Sequence, residues 1–159
     1  MDLMQRLIAR WTEHGISIPT GASDADIAAF ESRTQSILPA DLRAYFATVN
    51  GMGERGTTDN DFFSFWQLSD IESIAEFVPD RSERIPDASR YFIIADHSIS
   101  LPSFAIRLAH NPADPSPIAS VVTDNLALEL EDVFDSFTDF LRSYLDNPDE
   151  TSATFPSGA

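Results

Sequence analysis

The strongest constraint on the fold is a stripe of large apolar side chains close to the end of the chain. At the helical spacing of about 100° per residue, the apolar residues of segment 133–145 fall on one side of a helix and charged residues fall on the other. The apolar side comprises Val133, Phe134, Phe137, Phe140, Leu141, Tyr144 and Leu145, and the charged side comprises Asp132, Asp135, Asp139, Arg142 and Asp146. Because so aromatic a helix needs a core to cover it, the segment predicts a long helix packed on the rest of the chain.

The first third of the chain shows helical periodicity as well. A first helix is predicted over residues 3–14, and a second, with the capping pattern that starts at Ser23, over residues 24–35. The pair Leu38-Pro39 predicts a third helix with Pro39 as its first residue, where the missing N–H costs nothing. Asn50-Gly51 ends this helix, since both residues tolerate the left-handed backbone.

The middle of the chain has the composition of strands. A strand pattern is seen over residues 62–68, 91–95, 104–108, 118–123 and 126–130. Alternation at 104–108 predicts a half-buried strand, and Asp124-Asn125 predicts a hairpin turn between the last two strands. Ser69 with Glu72 predicts a capped fourth helix, and residues 79–90 read as a long surface loop.

These elements predict a single α+β domain over residues 1–146. The N-terminal helices and the C-terminal helix are expected to pack on a central antiparallel sheet, because the connections between strands are too short for crossover helices. Residues 147–159 are rich in Pro, Ser and Thr and are predicted to form a flexible tail.

Charge narrows the classes of partner. The 159 residues include 26 acidic and 10 basic residues, all of the latter arginine, for a net charge of -16. So few basic groups argue against nucleic acid and against an anionic membrane surface, whereas a basic protein would be attracted. Solubility alone is the other interpretation of this charge. The chain has no cysteine and its N-terminus has no apolar signal or membrane-spanning segment, so a cytoplasmic location is expected.

Four patterns that could carry chemistry fail their structural tests. Residues 51–56 spell G-x-G-x-x-G, but a helix precedes them and a strand follows, the reverse of a dinucleotide site. Asp96-His97-Ser98 are adjacent and cannot converge as a hydrolase triad. Asp59-Asn60-Asp61 lacks the later ligands of a calcium loop, and the histidines are far apart in sequence. We therefore predict no catalytic, cofactor-binding or metal-binding residue, and no enzyme activity.

Acidic residues are concentrated in the last third of the chain. Beyond residue 110 there are ten acidic residues against Arg142 alone. The residues predicted to bind a basic partner are Asp124, Glu129, Glu131, Asp132, Asp135 and Asp139. A solvated helix face without a partner is the alternative.

The order of these features resembles the SUKH superfamily. Its signature looks like a helix bearing Glu31, a Leu-Pro pair and an aromatic helix that closes on Asn-Gly, here Glu31, Leu38, Pro39, Tyr45, Phe46, Asn50 and Gly51. The family's closing pattern resembles residues 136–141, and the likeness extends over residues 16–145. These residues have structural roles to fill, and Glu31 can bond a loop or the start of the next helix. Residues 91–108 depart from the Gly- and Asp-rich hairpin of many relatives.

The resemblance implies a function as well as a fold. Members of the superfamily are bacterial immunity proteins, and a fungal branch regulates cell-wall synthesis. The leading expectation is therefore a non-catalytic immunity protein that binds and neutralises a toxin, such as a basic nuclease domain, of a bacterial polymorphic toxin system. A regulatory or adaptor module without a toxin partner is the alternative.

Overall fold

A computed structural model describes residues 1–123 and 128–157, and its first part is helical. The helices are α1 (Leu3–Glu13), α2 (Asp24–Thr34) and α3 (Ala40–Thr48). The predicted cap of α2 is present, since Ser23 accepts a hydrogen bond from the Asp26 N–H and Asp26 bonds back. Pro39 is the residue before α3 rather than its first residue, and its extended backbone lets the helix begin at Ala40.

Five strands form one antiparallel sheet, in sequence order from β1 to β5. They are β1 (Phe63–Phe65), β2 (Tyr91–His97), β3 (Ser103–Arg107), β4 (Ile118–Thr123) and β5 (Leu128–Phe134). Neighbours in sequence are neighbours in the sheet, although the connection from β1 to β2 is long and contains helical segments. The predicted α+β class is confirmed.

Between β1 and β2 the chain is more helical than its sequence suggests. A 3-10 turn covers Leu68–Asp70, and α4 (Ile74–Phe77) begins four residues later than predicted, capped by Ser73 with Glu76. Ser69-x-x-Glu72 and Ser73-x-x-Glu76 are the same pattern, so local sequence cannot choose between them. Residues 79–90 include two 3-10 turns, Ser82–Arg84 and Ala88–Arg90, and are not simply a surface loop, because Ile85 and Ala88 are buried.

The central strand β3 is buried on both faces, not half-buried as its alternation predicts. Phe104 and Ile106 are fully buried, and so are Ser103 and Ala105 on the other side of the strand. The residues at these alternate positions are small, so there is room for a layer of the protein to cover this face of the strand. In the sequence, the same alternation of large apolar and small residues is typical of a strand with one exposed face.

Helix α5 (Phe137–Asp146) packs on one face of the sheet through Phe140. The ring of Phe140 lies 4.9 Å from that of Phe104 and 5.5 Å from that of Phe134, centroid to centroid. None of the helices among the described residues is long and apolar enough to cross a membrane. The aromatic stripe thus forms the core, as the sequence predicts.

The predicted long C-terminal helix is two elements. Val133 and Phe134 belong to β5, where Phe134 lies opposite Ile118, and α5 starts only after Ser136. The Ser136 side chain accepts a hydrogen bond from the Asp139 N–H and stops the helix from extending backwards. Branched and aromatic residues suit strands too, so a helical spacing over 133–134 is accidental.

The segment after Asn147 differs from the predicted flexible tail. Pro148–Ser152 form α6, in which Thr151 is fully buried. The Ser120 hydroxyl donates to the Thr154 carbonyl at 2.6 Å. The backbone N–H of Ser157 donates to the Glu131 carboxylate. The polar composition of residues 147–159 does not predict these two hydrogen bonds, because each is made with a residue of a distant strand.

We expect Glu131 to report on this anchoring. The hydrogen bond from Ser157 lowers the pKa of Glu131 from its ordinary value of 4.5. A lowered pKa means that the bond adds stability above pH 4.5 and that this stability is lost as the pH falls through the lowered value. Truncating the chain after Ser152 should raise the Glu131 pKa to its ordinary value in an NMR titration. An unchanged pKa would contradict the contact.

Candidate functional site: an acidic sheet edge

Five of the six acidic residues singled out by sequence lie on one edge strand of the sheet or directly after it. Strand β5 is the last strand in the sheet order, and it bears Glu129, Glu131 and Asp132. Asp135 follows in the bend after β5, and Asp139 lies in the first turn of α5. The tertiary structure therefore groups five of the six residues, not on one helix face but on an edge strand and the helix start. Asp124 lies outside the described residues.

These carboxylates differ in how far they are engaged. Asp135 is exposed to solvent, and Asp139 lies 3.4 Å from the Arg142 guanidinium, where solvent screens the pair. Asp132 accepts a hydrogen bond of 2.9 Å from the Tyr91 hydroxyl. Burial and this carboxylate raise the pKa of Tyr91 to about 12.

The two glutamates of β5 are partly buried. Glu131 accepts from the Ser157 backbone, whereas one carboxylate oxygen of Glu129 is buried without a hydrogen-bond partner among the described residues. Leaving a carboxylate oxygen buried and unpaired is unfavourable. The edge also has a structural use for charge, because acidic side chains on an edge strand discourage pairing with another chain.

Two motifs that the sequence suggests are not functional sites lie in the kinds of element that it predicts for them. Residues 51–56 form turns between α3 and β1, with no helix start behind them to hold a phosphate. Asp96 and His97 end β2, and Ser98 begins a turn. The Asp96 carboxylate accepts a hydrogen bond from the Trp66 indole at 3.2 Å, and burial raises the pKa of Asp96.

One buried polar network, centred on Asp59, is not predicted by the sequence. Asp59 is 3% exposed and accepts hydrogen bonds from the Phe63 N–H at 2.9 Å and from the Tyr144 hydroxyl. Tyr144 in turn accepts from the Trp11 indole at 3.1 Å. Burial and the neighbouring Asp59 charge raise the pKa of Tyr144, so its hydroxyl stays protonated as a donor.

The same network brings together His14, Asp59 and Asp61, whose ligand atoms lie within 4.8 Å of one another. The Arg10 guanidinium contacts Asp61, and the His14 ring nitrogen accepts from the Asn60 N–H at 3.0 Å. Arginine supplies the positive charge and backbone donors occupy the acceptors, so these residues fasten the loop before β1 to α1 and α5. The sequence does not predict this cluster, because its contacts join segments that are distant in the chain.

Comparison with known proteins identifies the family. The sequence profile of the SMI1 / KNR4 family (SUKH-1) matches residues 21–143. This chain belongs to the SMI1 / KNR4 family. The match includes the 91–108 segment in which the chain departs from many SUKH proteins, and it names SUKH-1 as the branch. No curated protein matches the sequence. Membership supports an immunity-protein-like or SMI1/KNR4-type module, in a family that is generally non-catalytic.

The SUKH-1 signature residues join α2 to α3, and they join the end of α3 to the 3-10 turn that follows β1. The Glu31 carboxylate accepts a hydrogen bond from the Leu38 N–H at 2.8 Å and another from Arg43 at 2.7 Å, so it joins α2 to the start of α3. The Asn50 side-chain oxygen accepts from the Leu68 N–H at 2.8 Å. Of the Asn50-Gly51 pair, Gly51 alone adopts the left-handed backbone, with φ of 61°.

Tyr45 offers a test of the structural role of the SUKH-1 signature. Tyr45 is 1% exposed, and its hydroxyl has no hydrogen-bond partner among the described residues. An unpaired buried hydroxyl costs about 1–3 kcal/mol, while its ring packs 4.8 Å from those of Phe46 and Phe137. We expect Tyr45→Phe to leave the free energy of unfolding unchanged or to raise it by about 1 kcal/mol, measured by urea denaturation. A decrease in the free energy of unfolding by more than about 1 kcal/mol would indicate that the Tyr45 hydroxyl has a hydrogen-bond partner.

Proposed function

We propose that the chain is a non-catalytic immunity protein that binds and neutralises a cognate toxin of a polymorphic toxin system. Membership of the SMI1 / KNR4 family over residues 21–143 is the observation that carries the proposal. The acidic edge supports a basic toxin domain, such as a nuclease, as the partner. Such a protein would act by occlusion, because covering the toxin's own positively charged substrate-binding surface blocks access without any reaction.

The charge at the edge suits fast capture. Residues 128–146 contain six acidic side chains and one arginine. A patch of one sign accelerates association with an opposite patch by long-range attraction, and salt weakens this acceleration. Asp135 and Asp139 are the best-placed members, since Asp132 is bonded to Tyr91 and Glu131 to Ser157.

The proposal is tested with the toxin domain encoded by the reading frame next to this gene. Co-expression of the chain should restore growth of cells that produce this domain. Reversing Asp135 and Asp139 to Arg should slow association about tenfold at low salt and little at high salt. The variant should fold as stably as wild type, because exposed charges contribute little to stability. Surface plasmon resonance measures the rate.

The matched control makes the same change in net charge elsewhere. Glu13 and Glu54 are exposed and lie outside β5 and α5, so reversing both to Arg keeps the edge intact. Equal slowing by both pairs would mean that overall charge, not the edge, steers association. If the neighbouring frame encodes no toxin and no cell is protected, the proposal fails and the regulatory module of the family is the better account.

A further inference from the structure

A second surface stands out by its apolar exposure. The large apolar side chains that are exposed among the described residues are Met1, Ile37, Phe62, Ile99, Leu101 and Phe155. Three of them, Phe62, Ile99 and Leu101, lie together where β1 begins and where β2 turns into β3, and are 62%, 92% and 51% exposed. We call these three residues the hairpin-tip patch. Single exposed apolar residues are ordinary, but clustered ones mark interaction sites.

Backbone hydrogen bonds place Phe62 beside the turn that carries Ile99 and Leu101. The Ser98 N–H donates to the Phe62 carbonyl at 3.0 Å, and the Leu101 N–H donates to the His97 carbonyl at 2.8 Å. The rings of Phe62 and His97 meet edge to face, with centroids 6.5 Å apart. Phe62 thus lies against the base of the turn that carries Ile99.

The backbone of this region is unfavourable for its residues. Ser98, Ile99 and Ser100 are consecutive left-handed residues, with φ of 48°, 59° and 64°, and Phe62 has φ of 67°. A β-branched side chain such as Ile99 is an outlier in this conformation, where glycine or asparagine would be comfortable. Stability of the fold therefore accounts neither for the conformation of Ile99 nor for its exposure. Strain of this kind concentrates at binding sites.

Hydrogen bonds hold both ends of the turn to the sheet. The His97 N–H donates to the Pro102 carbonyl at 3.0 Å, and the Ser98 N–H donates to the Phe62 carbonyl at 3.0 Å. Asp96, just before the turn, is 9% exposed and accepts a hydrogen bond from the Trp66 indole. A surface that is rigid before binding loses little entropy on binding, which favours high affinity.

The occupant follows from charge and position. Asp59, Asp61 and Asp96 are near the patch in sequence, but Asp59 and Asp96 are buried and Asp61 is paired with Arg10, so the negative charge available to a partner is that of the acidic edge. The pairing of Ser103 with Val121, and of Val121 with Leu130, places the turn at the same end of the sheet as Glu129, about two strand spacings away. At a net charge of -16, a second copy of the chain would be repelled.

We propose that the hairpin-tip patch is the anchor of the complex, inserted into an apolar pocket with a basic rim on the toxin domain. This proposal rests on the proposed function and assigns a different role in binding to each of two surfaces. The acidic edge steers the toxin domain and sets the association rate. The hairpin-tip patch is desolvated in the complex and sets the dissociation rate, as central apolar anchors do.

The test uses the toxin domain of the neighbouring reading frame and measures both rate constants by surface plasmon resonance. Ile99→Ser and Phe62→Ser should raise the dissociation rate about tenfold or more, with the association rate and its salt dependence unchanged. Phe155→Ser is the matched control, since Phe155 is 42% exposed but lies outside the patch, and it should bind as wild type.

Ile99→Gly separates binding from folding. Glycine accepts the left-handed backbone without strain, so this variant should melt at or above the wild-type temperature and still dissociate faster. A variant that is at least as stable yet binds more weakly cannot owe its defect to unfolding.

Three outcomes would overturn the anchor. If the patch variants dissociate at the wild-type rate while reversal of Asp135 and Asp139 slows association, the anchor is elsewhere and the proposed function stands. If the wild-type chain does not bind the toxin domain, both proposals fail. If sedimentation shows a dimer of the wild-type chain that Ile99→Ser dissociates, the patch serves self-association instead.

Discussion

Replacing Gly51 by alanine is expected to lower the free energy of unfolding by about 3 kcal/mol or more. Gly51 has φ of 61°, and a Cβ there would lie 2.6 Å from the Trp66 carbonyl. The left-handed backbone alone costs a residue with a side chain about 1–2 kcal/mol, and displacing a packed backbone adds about 1–3 kcal/mol. A melting temperature about 6–12 °C lower should result for a chain of this size, measured by circular dichroism.

Gly15→Ala is the control for Gly51→Ala. Gly15 has φ of 77°, and nothing lies within 4 Å of a Cβ added to it. This variant should show only the backbone cost, about 1–2 kcal/mol. Similar losses at the two positions would mean that the close approach of Gly51 to the Trp66 backbone is not what the SUKH-1 Asn-Gly pair provides.

Replacing Asp59 by alanine is expected to destabilise the protein by about 3–5 kcal/mol. The change removes the acceptor of the Phe63 N–H and of the Tyr144 hydroxyl, which are both buried. Each buried donor left without an acceptor costs about 1–3 kcal/mol. The loop before β1 should also detach from α5, which hydrogen exchange at the Phe63 amide would detect as lost protection.

A double-mutant cycle tests whether Asp59 acts through Tyr144. Tyr144→Phe keeps the ring on Phe63 and Phe65 and removes only the hydroxyl, so it should cost about 1–2 kcal/mol. The double variant should be more stable than the sum of the single losses implies, by about 1 kcal/mol or more, because the two groups share one bond. Strict additivity would contradict the network.

The elements predicted best were those encoded by neighbours in sequence. The cap at Ser23 is closed by Asp26, three residues away, so the start of α2 needs no other part of the chain. The α5 stripe likewise carries its own period of 3.6. Errors arose where one local pattern permits two outcomes. This is so for the repeated Ser-x-x-Glu before α4, and for Val133 and Phe134, which belong to β5 instead of extending α5.

The acidic site was predictable in composition but not in geometry. Glu129, Glu131 and Asp132 are recognisable in the sequence as part of an acidic segment. On a helix, only some of them would lie on the same face. Their place on an edge strand, and the use of Glu131 and Asp132 as acceptors, depend on Ser157 and Tyr91, each more than 25 residues distant.

The amino-acid sequence by itself determined the α+β class, the cap of α2 and the strongly acidic C-terminal third, because each follows from residue type and short spacing. Only the tertiary structure decided which carboxylates are bonded, how Asp59 joins α1, β1 and α5, and that Ile99 is held outward in a left-handed turn. These features depend on hydrogen bonds and packing between residues that are distant in the chain, whose energies no local pattern records.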